Sequence, residues 1–196
     1  MTIVLASGSP TRKALLSAAG VPFIVKVAPI DERAAEAPLI ATVSPPADIA
    51  SALAEAKAVA VSRDDGDAFV IGADQTLDAD DNRWTKPATI AEAREQLARL
   101  SGRAHHLHSA VAVARGGTVA WRYRDSARLT MRPLSATMID AYLAEVGDAA
   151  LASVGAYQIE GPGIRLFERI DGDYFTILGL PLLPLLAYLR GEGAIS

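Results

Sequence analysis

The chain of 196 residues is 51% hydrophobic and 21% charged, the balance of a soluble globular domain with room for one core or two lobes sharing a sheet. Its formal net charge of −4 argues against a general nucleic-acid binder, although a few converging cations suffice for a small anion. With no cysteine, a disulfide scaffold, a thiolate metal site and a cysteine nucleophile are all excluded.

In chain order, Thr2 to Ala6 reads as a short buried strand, too brief and too lacking in basic residues for a signal peptide. Ser9-Pro10 signals a helix start, with Ser9 as N-cap and Pro10 where its missing N–H costs nothing. Leu15, Leu16 and Ala19 supply its inward face, and Gly20 stops it. Phe23 to Val27 predicts a second strand, and Ala34 to Pro46 a loop rich in Ala and Pro. Ser44-Pro45-Pro46 opens a helix to about Ser62, with Ile49, Leu53, Ala56 and Ala60 as its apolar stripe. Asp64 to Asp67 forms a solvated turn before a buried strand at Ala68 to Ala73.

Turn composition at Asp78 to Asn82 predicts a hairpin over Gln75 to Trp84. Thr89 caps a helix with Ile90, Ala93, Leu97 and Leu100 on one face, ending at Ser101-Gly102. His105 to Ala114 and Thr118 to Thr130 pair around Gly116-Gly117. Ser135 caps a helix with Met138, Ile139, Tyr142, Leu143 and Val146 inward. After the glycine-rich Gly155 to Gly163 come a strand at Ile164 to Ile170 and a helix at Pro181 to Arg190. The Ile177 to Leu189 stretch carries two prolines and is too short to span a bilayer, so no membrane partner and a cytoplasmic location are expected. The alternation predicts an α/β fold with a mixed sheet flanked by helices.

Ser7-Gly8-Ser9-Pro10-Thr11-Arg12-Lys13 places three hydroxyls and two cations where a strand turns into a helix N-terminus, a plausible phosphate cradle. Cations in a first turn oppose the helix dipole, which marks the placement as unusual; two solvated charges on a capped helix are the equally weighted alternative. Lys13 lacks the neighbours of a P-loop lysine. Gly72-Ala73-Asp74-Gln75 follows a buried strand, where a carboxylate can hold a metal or accept a proton from water; a turn-forming Asp is the bland alternative. Lys57 falls four residues after Leu53, at the edge of the apolar stripe, a position that also suits a snorkelling lysine. Asp31-Glu32 and Lys86-Pro87 are either ligands or loop residues. His105 and His108 are three apart on a strand and point to opposite faces, which argues against zinc. No Gly-x-Ser-x-Gly elbow is present, so a serine hydrolase is unsupported.

These segments together resemble the Maf family of nucleoside triphosphate pyrophosphatases, from Ile3 to about Leu189. The carriers are Leu5 to Arg12, Asp31-Glu32, Glu55-Ala56-Lys57-Ala58, Gly72-Ala73-Asp74-Gln75, Lys86-Pro87, Leu100-Ser101-Gly102 with His105, Gly155-Ala156-Tyr157, and Gly179-Leu180-Pro181-Leu182. The resemblance implies a mixed twisted sheet in one domain, with two lobes around a cleft, and a divalent cation, usually magnesium. It also implies that Asp74 is the proton acceptor and that Ser9, Arg12, Glu32, Lys57 and Lys86 line the cleft; chemically, Glu32 and Asp74 suit the metal and the cations suit the triphosphate. The reaction it implies turns a nucleoside triphosphate into the monophosphate and pyrophosphate.

Three positions bear on the base. Thr11 departs from the family's basic residue or tryptophan, removing a stacking partner for a charged base. Gln75 and Glu160 both match the 7-methylguanosine-triphosphate branch, and a carboxylate at Glu160 suits the donor edge of guanine. A dTTP/UTP pyrophosphatase and a non-catalytic nucleotide-binding regulator of cell division are the alternatives. The apolar Leu182 to Leu189 helix and the resemblance point to a homodimer.

Overall fold

The computed structural model describes residues 1–42, 44–79 and 82–196, with the side chain of Asn82 outside that description. It is an α/β protein with one mixed sheet of seven strands flanked by helices. In chain order the strands are β1 (Ile3–Leu5), β2 (Ile24–Val25), β3 (Phe69–Ala79), β4 (Asn82–Trp84), β5 (Ala104–Arg115), β6 (Thr118–Met131) and β7 (Phe167–Asp171). The helices are α1 (Pro10–Ala18), α2 (Glu32–Ala41), α3 (Pro46–Ser62), α4 (Ile90–Leu100), α5 (Ala136–Val146), α6 (Tyr174–Ile177) and α7 (Leu182–Gly191). The strand order is β2-β1-β3-β5-β6-β7, with β4 paired to β3. β1 runs parallel to both β2 and β3, whereas β4 and β7 pair antiparallel with β3 and β6. Among the described residues, no helix is long and apolar enough to cross a membrane.

The chain forms two compact units: residues 1–75, 108–126 and 173–196, and residues 76–107 and 127–172. In the first unit the strands alternate their side chains between two helical layers. Ile3, Leu5, Phe69, Ile71, Val111 and Val113 join Leu16 of α1 and Leu182, Leu185 and Leu189 of α7 in one core. On the other face Ala110, Ala112 and Ala114 meet Ala50, Ala54 and Ala58 of α3. Small side chains on both partners let α3 lie close to the sheet. Gly72 is part of that approach, because a Cβ there would fall 2.1 Å from the Ala54 carbonyl oxygen. Its φ is unexceptional, so space and not backbone freedom demands glycine.

In the second unit α4 packs on α5 and on the 3₁₀ segments that follow it, through Ala93, Leu97, Leu100, Ile139, Tyr142 and Leu143. Ser9, Thr89 and Ser135 are side-chain N-caps of α1, α4 and α5. β5 and β6 meet at Gly116-Gly117, whose φ values of 53° and 81° suit a tight hairpin turn.

Several expectations need correction. The predicted loop at Ala34 to Pro46 is largely α2, because alanine favours helix and the Asp31 side chain accepts from the Ala34 N–H at 3.1 Å. Its Val43 lies outside the described residues, as do Asp80 and Asp81 in the predicted turn at Asp78 to Asn82. The strand at Phe23 to Val27 shrinks to Ile24–Val25 on the sheet edge. The strand predicted at Ala68 to Ala73 instead spans Phe69–Ala79. Ile164 to Leu166 belong to a 3₁₀ turn, so β7 starts at Phe167. Ala19 is exposed and Ala56 and Ala60 are half-buried; the closest side of α3 carries Ala50, Ala54, Lys57, Ala58 and Val61 instead. The short α6, capped by Asp173, is an addition.

Candidate active site

The first unit gathers its chemistry where the parallel ladder of β1 with β3 ends, at the carboxyl end of β1 and partway along β3. The ladder ends at Leu5 opposite Ile71, and the next two residues on each strand lead to Ser7 and Ala73. Arg12, in the first turn of α1, reaches back over this point. Its Nη1 donates to the Ala73 carbonyl at 2.9 Å and to the Ser7 hydroxyl at 3.2 Å, while Nε donates to the Gly179 carbonyl at 2.8 Å. Ser7 is buried, and its oxygen also accepts from the Ser9 N–H at 3.3 Å. The Ser9 hydroxyl accepts from the Arg12 N–H at 3.4 Å as the N-cap. Thr11 and Lys13 lie half-buried in the same turn.

Asp74 shares the sheet face of Gly72 and therefore faces α3. The close seating of α3 brings Lys57 to it: Nζ donates to Asp74 Oδ1 at 2.6 Å, and both side chains are buried. Lys57 Nζ also lies 2.9 Å from Oε1 of Glu32, the first residue of α2. The expected snorkelling alternative for Lys57 is therefore wrong, because its ammonium ends on two carboxylates and not in solvent. Burial pushes the Asp74 carboxyl above the usual carboxylate range, against the pull of Lys57 and Arg12. Burial likewise lowers Arg12, opposed by the charges of Asp74 and Glu32, yet a guanidinium stays protonated throughout the working range.

Among the described residues no group of three or more His, Asp or Glu side chains converges on one point. Two hard oxygen donors do converge, Glu32 and Asp74, on the ammonium of Lys57. That donor set fits a magnesium-type cation, which commonly takes one or two carboxylates and completes its shell from water and substrate phosphates.

Gln75 faces the opposite side of β3 from Asp74. Its amide nitrogen lies 3.0 Å from the Ser109 hydroxyl, 3.2 Å from the Thr176 carbonyl and 2.9 Å from the Ile177 carbonyl. Sequence reasoning passed over Ser109 and Thr176. The available signal was a lone hydroxyl in each of two apolar runs, Ser109 to Ala114 and Phe175 to Leu178.

Lys86 and Glu160 belong to the second unit, and both are exposed. Glu160 follows a tightly held segment. Gly155 has φ +79° and Ala156 φ +61°, a left-handed conformation that is uncommon for alanine. Tyr142 donates its hydroxyl to the Ala156 carbonyl at 3.2 Å, and the Tyr157 hydroxyl meets His105 Nε2 at 2.7 Å. Burial holds His105 down to about 4, so it is a neutral structural histidine, and its Nδ1 has no hydrogen-bond partner. His108 is elsewhere on β5, with Nδ1 2.7 Å from the Ser126 hydroxyl.

A further concavity of about 400 Å³ lies along α3 and β6 in the first unit. Its Arg122 and Arg124 are ion-paired with Glu55 and Asp48.

A family model described as Maf-like protein matches residues 2–192. The chain is 57% identical to the 7-methyl-GTP pyrophosphatase of Rhizobium meliloti (strain 1021), covering 99% of this chain and 98% of that protein. It is 56% identical, with the same coverage, to the protein of that name from Brucella abortus biovar 1 (strain 9-941). It is 52% identical to the nucleoside triphosphate pyrophosphatase of Bradyrhizobium diazoefficiens, over 99% of this chain and 95% of that protein.

Proposed function

The chain belongs to the Maf family, and from that premise we propose that it hydrolyses a nucleoside triphosphate to the monophosphate and pyrophosphate. The observation that carries the reading is the convergence of Asp74 and Glu32 on Lys57 beside the half-buried Arg12. Phosphoanhydride hydrolysis demands charge neutralisation and alignment of water more than covalent chemistry.

Asp74 accepts a proton from the attacking water. The water oxygen bonds to the α-phosphorus, the bridge to the β-phosphate breaks, and pyrophosphate leaves. Burial raises the Asp74 carboxyl and so makes it a stronger base than an exposed aspartate. Glu32 and Asp74 would hold the divalent cation, magnesium by the hardness of its donors. Bound there, the cation offsets charge on the phosphate oxygens. Lys57 supplies a fixed positive charge next to the base, and Arg12 a second one where the ladder of β1 with β3 ends.

Phosphate contacts are assigned to Ser9, Arg12 and Lys86 on the strength of the family pattern, and to Ser7 and Lys13 by their place in the 7–13 segment, while Thr11 bears on the base. Arg12 uses Nε and Nη1 on protein carbonyls and the Ser7 hydroxyl, so its role combines charge with the shaping of the 7–12 turn. Removing Lys86 weakens binding of the phosphates by roughly 1.5–3 kcal/mol, the scale of one charged hydrogen bond.

The substrate is 7-methyl-GTP, with Glu160 accepting from the donor edge of guanine. This finer reading is supported by Glu160 and by the names of the two relatives above at 56% and 57% identity. The working protein is a cytoplasmic homodimer. The decisive experiment is a pyrophosphate-release screen across ordinary and modified nucleoside triphosphates, with and without magnesium. Stoichiometric monophosphate and pyrophosphate without orthophosphate are expected, greatest for 7-methyl-GTP. Saturable binding with no turnover would replace this reading with that of a nucleotide sensor.

A further inference from the structure

Lys86 is exposed, yet the chain on either side of it is fixed. β4 brings the segment in by pairing Trp84 with Leu77 of β3, and the indole is buried. Residues 85–88 then lead to Thr89, the N-cap of α4. Pro87 is buried, and a proline biases the residue before it toward extended backbone.

α4 fastens this run of chain with one stripe of its side chains. Ala93, Leu97 and Leu100 are its buried residues. Glu92, Gln96 and Arg99 each lie one residue earlier, so they form the neighbouring stripe, about 100° round the helix. Glu92 accepts the Ala88 N–H at 2.8 Å, and the Gln96 amide nitrogen donates to the Thr85 carbonyl at 2.9 Å. The Arg99 guanidinium lies 4.4 Å from the centre of the Trp84 ring. The two segments thus run in opposite directions, with Glu92 on Ala88, Gln96 on Thr85 and Arg99 on Trp84. Among the described residues Trp84 Nε1 has no hydrogen-bond partner, so the ring is held by packing and by the cation over it. The three contacts bracket Lys86 and Pro87. They hold the carbonyl just before Lys86 and the N–H just after Pro87.

From this geometry we propose that Gln96 and Arg99 are positioning residues that set the backbone of Lys86 for the triphosphate, through the Thr85 carbonyl and the Trp84 ring. The proposal rests on the assignment of Lys86 to the substrate phosphates and adds two residues of α4 behind it. Neither side chain meets the reacting atoms. A lysine is a point charge on a flexible four-carbon stem, so a fixed backbone is what limits where its ammonium travels. A ligand contact keeps its geometry only when the residues behind it are held to within about 0.5 Å. The charge of Lys86 meets the phosphates before and during reaction alike, so loosening it acts on KM and leaves kcat.

Four variants of the full chain test it: Gln96→Met and Arg99→Met, with Arg99→Lys as the conservative exchange and Lys86→Ala as the reference. With 7-methyl-GTP, KM should rise about 3- to 10-fold in each Met variant, the scale of one net hydrogen bond or cation–π contact. Arg99→Lys keeps a cation for the ring and should recover most of that loss. On the Lys86→Ala background, adding either Met substitution should change KM by less than about twofold, because both act through Lys86. A full additional loss on that background, or an unchanged KM in both single variants, overturns the proposal. Lys86→Ala with an unchanged KM would instead remove the phosphate assignment beneath it. Backbone ¹⁵N order parameters of the free protein need no substrate and separate the two failures. At residues 85, 86 and 88 they should fall from about 0.85 toward 0.6 in both Met variants, with α5 unaffected. Order parameters that stay put in the folded variants sink the positioning role whatever the activity.

Discussion

The ammonium of Lys57 meets the carboxylate of Asp74 at 2.6 Å, and both side chains are buried in the first unit. Burial raises Asp74 while Lys57 and Arg12 lower it, with burial the larger influence. A base must be ionised, so activity is present above its folded pKa and is lost as pH falls through it. The acid limb of the kcat/KM profile is expected above the usual carboxylate range. Lys57→Met removes an opposing charge and should move that limb to still higher pH. A limb that stays put would show that the titrating base is not Asp74.

Asp74→Asn keeps the size of the side chain and removes its ability to take a proton. Turnover should fall by about 10²- to 10⁴-fold, the usual contribution of a general base. Nucleotide binding, followed by equilibrium titration in the absence of turnover, should change far less. Near-normal turnover would remove Asp74 from the chemistry.

Gly72→Ala tests how the base and Lys57 are brought together. The added Cβ would lie 2.1 Å from the Ala54 carbonyl oxygen and 2.6 Å from the Ala58 backbone nitrogen, atoms that no rotamer can move. Destabilisation of about 3 kcal/mol or more is expected, at or beyond the upper end for overpacking, by urea unfolding. A loss under about 1 kcal/mol would mean that α3 does not lie this close to β3.

His105 links acid pH to stability. Burial holds its folded pKa down to about 4 from an ordinary 6.5, so the unfolded chain binds the extra proton between those values. Stability is thus complete above pH 6.5 and declines as pH falls toward 4. Between pH 7.5 and pH 5 the loss from this one group is about 2 kcal/mol. His105→Gln can still bond the Tyr157 hydroxyl but does not titrate, and should flatten this part of the profile. An identical slope in the variant would place the acid sensitivity elsewhere.

Much of the local structure was legible because it depends on near neighbours. Ser9, Thr89 and Ser135 cap helices by accepting from an N–H three residues on, a relation contained in a short window. Alternation along Ile3 to Leu5 and Ala110 to Ala114 marks strands for the same reason. The Ala34 to Pro46 segment was misread because proline suggested a break, whereas Pro38 lies inside α2 and the alanines around it favour helix. Glu32, left between ligand and loop residue by its sequence neighbours, gains its place from α2, whose first residue it is.

The sequence by itself determined the α/β class, the helix caps, the absence of thiol chemistry and, through its ordered motifs, the Maf pattern. Tertiary structure decided what each of those residues meets. Periodicity put Lys57 at the rim of an apolar stripe; the alanine and glycine contact between α3 and β3 turned that rim inward, onto Asp74 and Glu32. Gln75 matched a position that bears on the base, and the partners of its amide nitrogen are Ser109, Thr176 and Ile177, 34, 101 and 102 residues away. A side chain's direction follows from its own backbone, but its partner follows from the packing of distant segments, and no short-range pattern carries that information.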